Sequence, residues 1–245
     1  GLQTGVNETN ANGLPSLRTI NAGKAQVYGI DMELSYRPPS IDGLDLHLAV
    51  NWNKTKFLEL NNVPCRGGQT EEEGCNQFFT PVTLLPVAQQ AIYPLGRFNA
   101  QNLKGVSFTR APEWQLNFGL SYDMPVGKDM KLSFGVDNQA ASNYLAILGS
   151  RADFRRPGYL KTDLSLTLYG PDEKWNIGLV GNNLQNKHVA GFCSNSSFLT
   201  GQSIIVPKFG APAADPIKRN AAGVDEMTCS SVPGRSIWIR AGFKI

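Results

Sequence analysis

Four cysteines, at positions 65, 75, 193 and 229, are the residues with the most obvious chemistry. None belongs to a Cys-x-x-Cys pair, so neither a zinc site nor thioredoxin-like redox chemistry has a scaffold. Cys65 and Cys75 stand close together, and Cys193 and Cys229 fall within one later segment. Such pairs on loops fit disulfides in an oxidising compartment. His47 and His188 are the only histidines, and no Ser/His/Asp set can be assembled around either. No glycine-rich loop offers to cradle a phosphate. The reading is therefore no enzyme, no cofactor and no resident metal. Two charged groups remain as candidates. Asp45 and His47 share one face of a strand, where they could meet a metal or another polypeptide. A hydrated lumen wall is the preferred explanation. "RADFRR" (151–156) sets out three arginines that could grip phosphate or an anionic ligand. A solvated loop explains those too.

The elements that must hold these residues are strands. In "PEWQLNFGLSYDMP" (112–125), Trp114, Leu116, Phe118, Leu120, Tyr122 and Met124 alternate with Gln115, Asn117, Gly119, Ser121 and Asp123. This is the two-residue period of a strand with one oily and one wet face. Similar alternation predicts strands near 27–37, 44–54, 113–124, 130–138, 159–169, 174–183 and 235–245. No convincing amphipathic helix interrupts them, and no apolar run approaches the ~18 residues of a membrane-spanning helix. The formal net charge of +3 is scattered and favours no nucleic-acid partner.

The connections are lopsided. Short Pro- and Gly-marked turns at 38–43, 125–129 and 170–174 alternate with long segments at 54–111, 138–158 and 183–235. In an antiparallel meander, all short turns then share one edge and all long loops the other. About ten residues per strand, at ~3.3 Å rise and ~45° tilt, span roughly the ~25 Å apolar band of an outer-membrane barrel. The oily series also ends repeatedly in a ring: Tyr28, Tyr36, Trp52, Trp114, Tyr122 and Trp175. Rings at both ends of a strand form the girdle of such barrels. A soluble carbohydrate-binding sandwich is the alternative fold. The reading preferred here is all-β: a transmembrane antiparallel up-and-down barrel, its oily face in lipid and its wet face toward the lumen.

Seven strands cannot close a bacterial single-chain barrel, which needs an even number of at least eight. Bare edges in hydrocarbon would leave amides unsatisfied at several kcal/mol each. The expectation is a C-terminal portion, 1–245, of a larger barrel, with the final strand ending in the periplasm. The long loops, together with residues 1–25, are then extracellular. The pairs Cys65–Cys75 and Cys193–Cys229 each lie inside one such loop. The apolar stretch "FFTPVTLLPVAQQAIYPLGRF" (78–98) is unlike a polar lid and should fold over the mouth, enter the lumen or meet a partner.

Four segments resemble TonB-dependent outer-membrane receptors: "NAGKAQVYGIDMEL" (21–34), "APEWQLNFGLSYD" (111–123), "VGNNLQNK" (180–187) and "GRSIWIRAGFKI" (234–245). The third departs from the family pattern, with His188 and Val189 where a Tyr is usual, and the chain ends on Ile245 rather than an aromatic. The resemblance implies a 22-stranded receptor with an N-terminal plug that is not in this chain. It also implies TonB-energised uptake, through that plug, of a scarce small-molecule ligand such as an iron–siderophore complex. Outer-membrane lipid and lipopolysaccharide would be further partners. A passive or structural barrel, porin or adhesin, is the other functional reading. Which residues touch ligand is not legible.

Overall fold

Alternation becomes a sheet when oily faces of neighbouring strands line up, since a one-residue slip would turn every side chain over. In the computed structural model, residues 2–9, 15–65, 71–85, 87–91, 94–150, 152–195 and 227–244 are described. In chain order the strands are β1 (Leu2–Thr9), β2 (Pro15–Ala22), β3 (Lys24–Tyr36), β4 (Leu44–Glu59), β5 (Val63–Pro64), β6 (Gln77–Thr80), β7 (Arg97–Gln101) and β8 (Trp114–Val126). There follow β9 (Met130–Ala141), β10 (Tyr144–Leu145), β11 (Arg155–Arg156), β12 (Tyr159–Tyr169), β13 (Trp175–Asn182), β14 (Ala190–Asn195), β15 (Met227–Ser231) and β16 (Ser236–Phe243).

Seven of these form one antiparallel sheet in the order β16-β13-β12-β9-β8-β4-β3. The fold is all-β, and the sheet is an open portion of a barrel wall. One row shows the alignment of faces: Tyr36, Leu46, Leu120, Val136, Leu164, Gly181 and Ile237 are successive partners. Within the sheet, β3 and β16 have one neighbour each. Both faces of β3 are largely exposed, including Ile30, and Ile239 and Phe243 of β16 stand open.

Sheet neighbours in sequence are joined by tight turns. Gly43 takes φ +82°, and a Cβ there would lie 2.1 Å from the Asp123 carbonyl oxygen, which only glycine permits. At the same edge, Lys131 binds Glu173 at 2.9 Å and lies over the Tyr169 ring. The hydrogen bond from Lys131 holds the Glu173 carboxyl below its ordinary range.

The long segments differ from loops without structure. β4 runs through Glu59, past the expected end at 54, and β9 runs through Ala141, past 138. Residues 1–25 carry the β1–β2 ribbon and the start of β3. The 54–111 segment contains the three-stranded sheet β5-β7-β6, and β14 pairs with β15. Arg151, Pro86, Ile92, Tyr93, residues 196–226 and Ile245 lie outside the described residues.

Candidate functional site: the polar face and the loop cap

His47 and Asp45 share the polar face of β4 but serve separate pairs. Ser35, His47, Gly119, Asp137 and Asp163 form one row across five strands. Gly119 has no side chain, so the His47 imidazole reaches over it to Asp137, Nε2 to Oδ1 at 3.1 Å. A Cβ on Gly119 would stand 2.8 Å from His47 Cε1. Arg37 Nε donates to Asp45 Oδ2 at 2.6 Å. Asp45 and His47 thus contact different partners and do not share one site. No cluster of three metal-ligating side chains occurs among the described residues. Asn51 donates to the Asp31 carboxylate in the same manner. Paired polar groups thus recur along this face.

The "NNLQNK" segment is a clamp. β12 outruns β13 at its upper end, and edge amides without a strand partner need others. Thr162 N donates to Gln185 Oε1 at 2.7 Å, and Leu184 N to Thr162 O at 2.9 Å. Asn183, which is buried, donates through its backbone N to Asp163 Oδ1 at 2.6 Å. Its Nδ2 donates to the carbonyls of Lys187 and Pro233, and its Oδ1 accepts from Lys187 N. Both ends of the third long segment are thereby tied to the wall. Asn183→Ala should cost about 2 kcal/mol, because buried partners lose their bonds. The urea midpoint of unfolding measures this, and an unchanged midpoint would dismiss the clamp.

Beyond the wall, the long segments pack into a cap. Phe57, Leu60, Val63, Leu103 and Leu148 form one buried cluster, backed by Ile20, Ala25, Val106 and Phe108. Phe57 is odd-numbered on β4, as is His47, so this cluster grows from the polar side of the sheet. Residues 103–113 run beside β4, with Phe57 N donating to Val106 O at 3.0 Å and Leu103 N to Leu60 O at 2.8 Å. A second cluster holds Tyr144, Leu145, Ala146, Ile147, Phe154 and Cys193, against Tyr159 on the polar face of β12. The apolar 54–111 segment is therefore rooted on the polar side of the wall. Buried Gln101 joins two segments: its Nε2 donates to Pro64 O at 3.2 Å, and its Oε1 accepts from Ser150 Oγ at 3.0 Å.

The disulfides pair Cys65 with Cys75 and Cys193 with Cys229. The second belongs to the cap core, where Tyr144 OH donates to Ala190 O at 2.6 Å. Burial, with Tyr159 nearby, raises the Tyr144 pKa above its ordinary value and keeps the hydroxyl a donor. Of the expected arginines, Arg155 is exposed, while Arg156 approaches Cys229 Sγ at 3.6 Å inside the cap.

The cap also holds an aromatic tip that sequence reading did not isolate. Phe78 has φ +56° and is 63% exposed, and its neighbour Phe79 is 53% exposed. A bulky residue in the left-handed region is uncommon and strained. Asn99 Nδ2 holds the Phe78 carbonyl at 3.2 Å and also binds Thr80 Oγ1. Phe98 supports Phe79 from across the ribbon, ring centroids 5.2 Å apart.

The sequence matches the family described as TonB dependent receptor-like, beta-barrel, over residues 1–184. The chain belongs to this receptor-barrel family. Two solved structures are similar. One is the ferric yersiniabactin uptake receptor FyuA from Yersinia pestis, with TM-score 0.52 and 13% identity over 91% of this chain and 24% of that one. The other is BauA, the ferric preacinetobactin receptor from Acinetobacter baumannii, with TM-score 0.47 and 12% identity over 98% of this chain and 25% of that one. This chain spans about a quarter of the length of each. No curated protein sequence matches it.

For a receptor barrel, the oily band must stay level with the membrane while the strands tilt. The rows permit a check. The upper end of the band is Tyr28 on β3, eight residues above Tyr36, and Ile237 on β16, in the same row as Tyr36. The lower end falls from Tyr36 to Phe243, six residues below that row. The drift is about six to eight residues over six strand steps, or roughly 1.0–1.3 per step. With ~3.3 Å per residue and ~4.8 Å between strands, the tilt is about 35–43°, within the barrel range.

Proposed function

We propose that this chain supplies part of the wall and loop cap of an outer-membrane receptor for TonB-energised uptake of a scarce ligand, an iron–siderophore complex being the first candidate. Membership of the receptor-barrel family carries the reading. The level oily band, the polar inner wall and the loop cap support it. In this reading the capped edge is extracellular, the tight turns are periplasmic, and a plug in the lumen meets TonB. Further strands of the same barrel lie against the free edges of β3 and β16. The chain's part is recognition and passage, with no bond-making chemistry.

The ligand would first meet the cap. Phe78 and Phe79 are more than half exposed on a crosslinked platform, with Phe98 bracing Phe79 from behind. Preorganised exposed aromatics of this kind serve as binding anchors. Phe78→Ala is expected to weaken ligand binding about tenfold or more while leaving folding unchanged. The test is uptake of labelled ferric chelates by iron-starved cells expressing the complete receptor, with and without TonB. Uptake that is indifferent to TonB would point to a passive barrel. Unchanged affinity in the Phe78 variant would place the ligand contacts elsewhere.

A further inference from the structure

Phe78 holds φ +56°, a conformation that is unfavourable for any residue with a Cβ. Its ring is largely exposed, so burial gives little in return. Something else must hold it, and the Asn99 side chain does. Arg97 Nε donates to Asn99 Oδ1 at 2.8 Å. A guanidinium can only donate, so the amide oxygen must face Arg97 and the amide nitrogen must face the other way. Nδ2 then gives its two hydrogens to Phe78 O, at 3.2 Å, and to Thr80 Oγ1. The main chain of Asn99 is anchored as well, since its carbonyl accepts from the N–H of Cys65, itself crosslinked to Cys75.

The neighbouring ring is fixed by other means. Phe79 packs on Phe98, and a Cβ on Gly96 would lie 2.8 Å from Phe79 Cζ. Gly96, at φ +93°, keeps that space open. Among the described residues no aromatic ring packs on Phe78 in this way. Its hold is the hydrogen bond to its carbonyl. The surroundings also indicate what the ring can meet. From Gly74 to Gly96 the sequence has no Asp, Glu, Lys or Arg. Leu84, Val87 and Leu95 of this stretch are exposed. Both hydrogens of the Asn99 amide are taken, and Arg97 Nε is engaged. A contact at the Phe78 tip is therefore made ring to ring rather than through charge.

We infer that Asn99 is a positioning residue, which holds the Phe78 ring ready for an uncharged aryl group of the ligand. This rests on the ligand role proposed above for the Phe78 tip. Asn99→Asp tests it. One carboxylate oxygen still accepts from Arg97, and the Thr80 hydroxyl can turn to donate to the other. Phe78 alone loses its donor. Thr80→Val is the control, because it removes the other acceptor and leaves the Phe78 bond. The probe is iron(III) tris(benzohydroxamate), with iron(III) tris(acetohydroxamate) as its ring-free counterpart. Both complexes are uncharged, and each is titrated onto the complete receptor.

Wild type should bind the ring-bearing complex more tightly than the ring-free one. Phe78→Ala should weaken that binding about tenfold. Asn99→Asp should weaken it about fivefold, as when the ring is in place about one fifth of the time. Asn99→Asp added to Phe78→Ala should cost nothing further, whereas independent effects would multiply to about fiftyfold. Thr80→Val should match wild type. Fluorine NMR of 4-fluorophenylalanine at position 78 reads the hold without ligand. One narrow line is expected in wild type and in Thr80→Val, and a shifted or broadened line in Asn99→Asp. Unchanged binding or an unchanged fluorine line in Asn99→Asp, beside a loss in Phe78→Ala, would overturn the positioning role and leave the Phe78 anchor standing. A fully multiplied loss in the double variant would do the same. Unchanged binding in Phe78→Ala would overturn both, as would equal binding, or equal absence of binding, of the two complexes by wild type.

Discussion

Leu166→Arg is expected to destabilise the receptor by about 2–4 kcal/mol, whereas Ser165→Arg one residue away should be mild. Leu166 lies in a row between Phe134 and Leu179, near the middle of the oily band on β12. It is 37% exposed, with no protein to cover it. An arginine there must lie in hydrocarbon or pull water toward it. Ser165 lies between Gly135 and Val180 on the opposite face, where the wall is wet in the proposed barrel. Phe118 and Asn117 on β8 form a second such pair, and Phe118 is likewise open on the oily side. Urea titration of refolding into lipid vesicles separates the outcomes. Equal tolerance at Leu166 and Ser165 would mean that the faces are exchanged or that both are wet. A soluble sandwich would show a third pattern, with a large cost at the oily face and folding that needs no lipid.

The alternation that predicts this difference is legible in sequence because, in the proposed barrel, each wall strand borders two unlike media over most of its length. The same physics explains where reading stops. On β4 the oily series ends at Trp52, and the strand was expected to end near 54. It continues to Glu59, but the media change places. Above the ring row, the outward positions Lys54 and Lys56 meet polar surroundings, while the inward Phe57 is buried in the cap. The pattern inverts rather than stops, and a rule that follows one face reads inversion as an end. The β1–β2 ribbon gave less signal still. "LQTGVNET" and "PSLRTINA" show no steady oily series, although Ile20 of β2 packs against the first cap cluster. Its backbone pairing is nonetheless continuous from Leu2↔Ala22 to Thr9↔Pro15.

The candidate site was legible only in part, for a related reason. The disulfide partners follow from two pairs of cysteines on two loops, and local pairing is topologically simple. His47 and Asp45 were visible as neighbours on one face, but their partners depend on register. Asp137 is two strands from His47, and it becomes reachable only because the intervening residue is Gly119. The Phe78 tip depends on a backbone angle and on Asn99, twenty-one residues away. Neither has a periodic trace. The clamp at Asn183 shows an intermediate case. "NNLQNK" stood out as a motif, while its reason, the unpaired upper edge of β12, required the sheet.

Replacing both Cys193 and Cys229 by Ser is expected to loosen the cap more than any other change to the loops. The sequence separation of 36 gives a chain-entropy contribution of about 4 kcal/mol, against about 3 for the separation of 10 between Cys65 and Cys75. The difference in effect should exceed that margin, because the two crosslinks hold different things. Cys75 is buried beside β7, within a segment already tied by Cys65 N to Asn99 O at 3.0 Å and by the Gln101 bonds. Cys193 packs on Phe154 and Tyr144, and the β14–β15 pairing there is interrupted between Ala190 and Cys193. Without the crosslink, the Tyr144 hydroxyl loses its fixed acceptor at Ala190. The wall itself is held by rows of cross-strand bonds that do not pass through either cysteine. Hydrogen exchange should therefore rise at residues 144–148 and 190–193, while exchange in β8, β9 and β12 stays slow. Unchanged protection at Tyr144–Leu148 would mean that the second cluster holds by packing alone. Loss of protection in β12 as well would mean that cap and wall unfold as one unit, and ligand contacts on the cap would then be coupled directly to the stability of the wall.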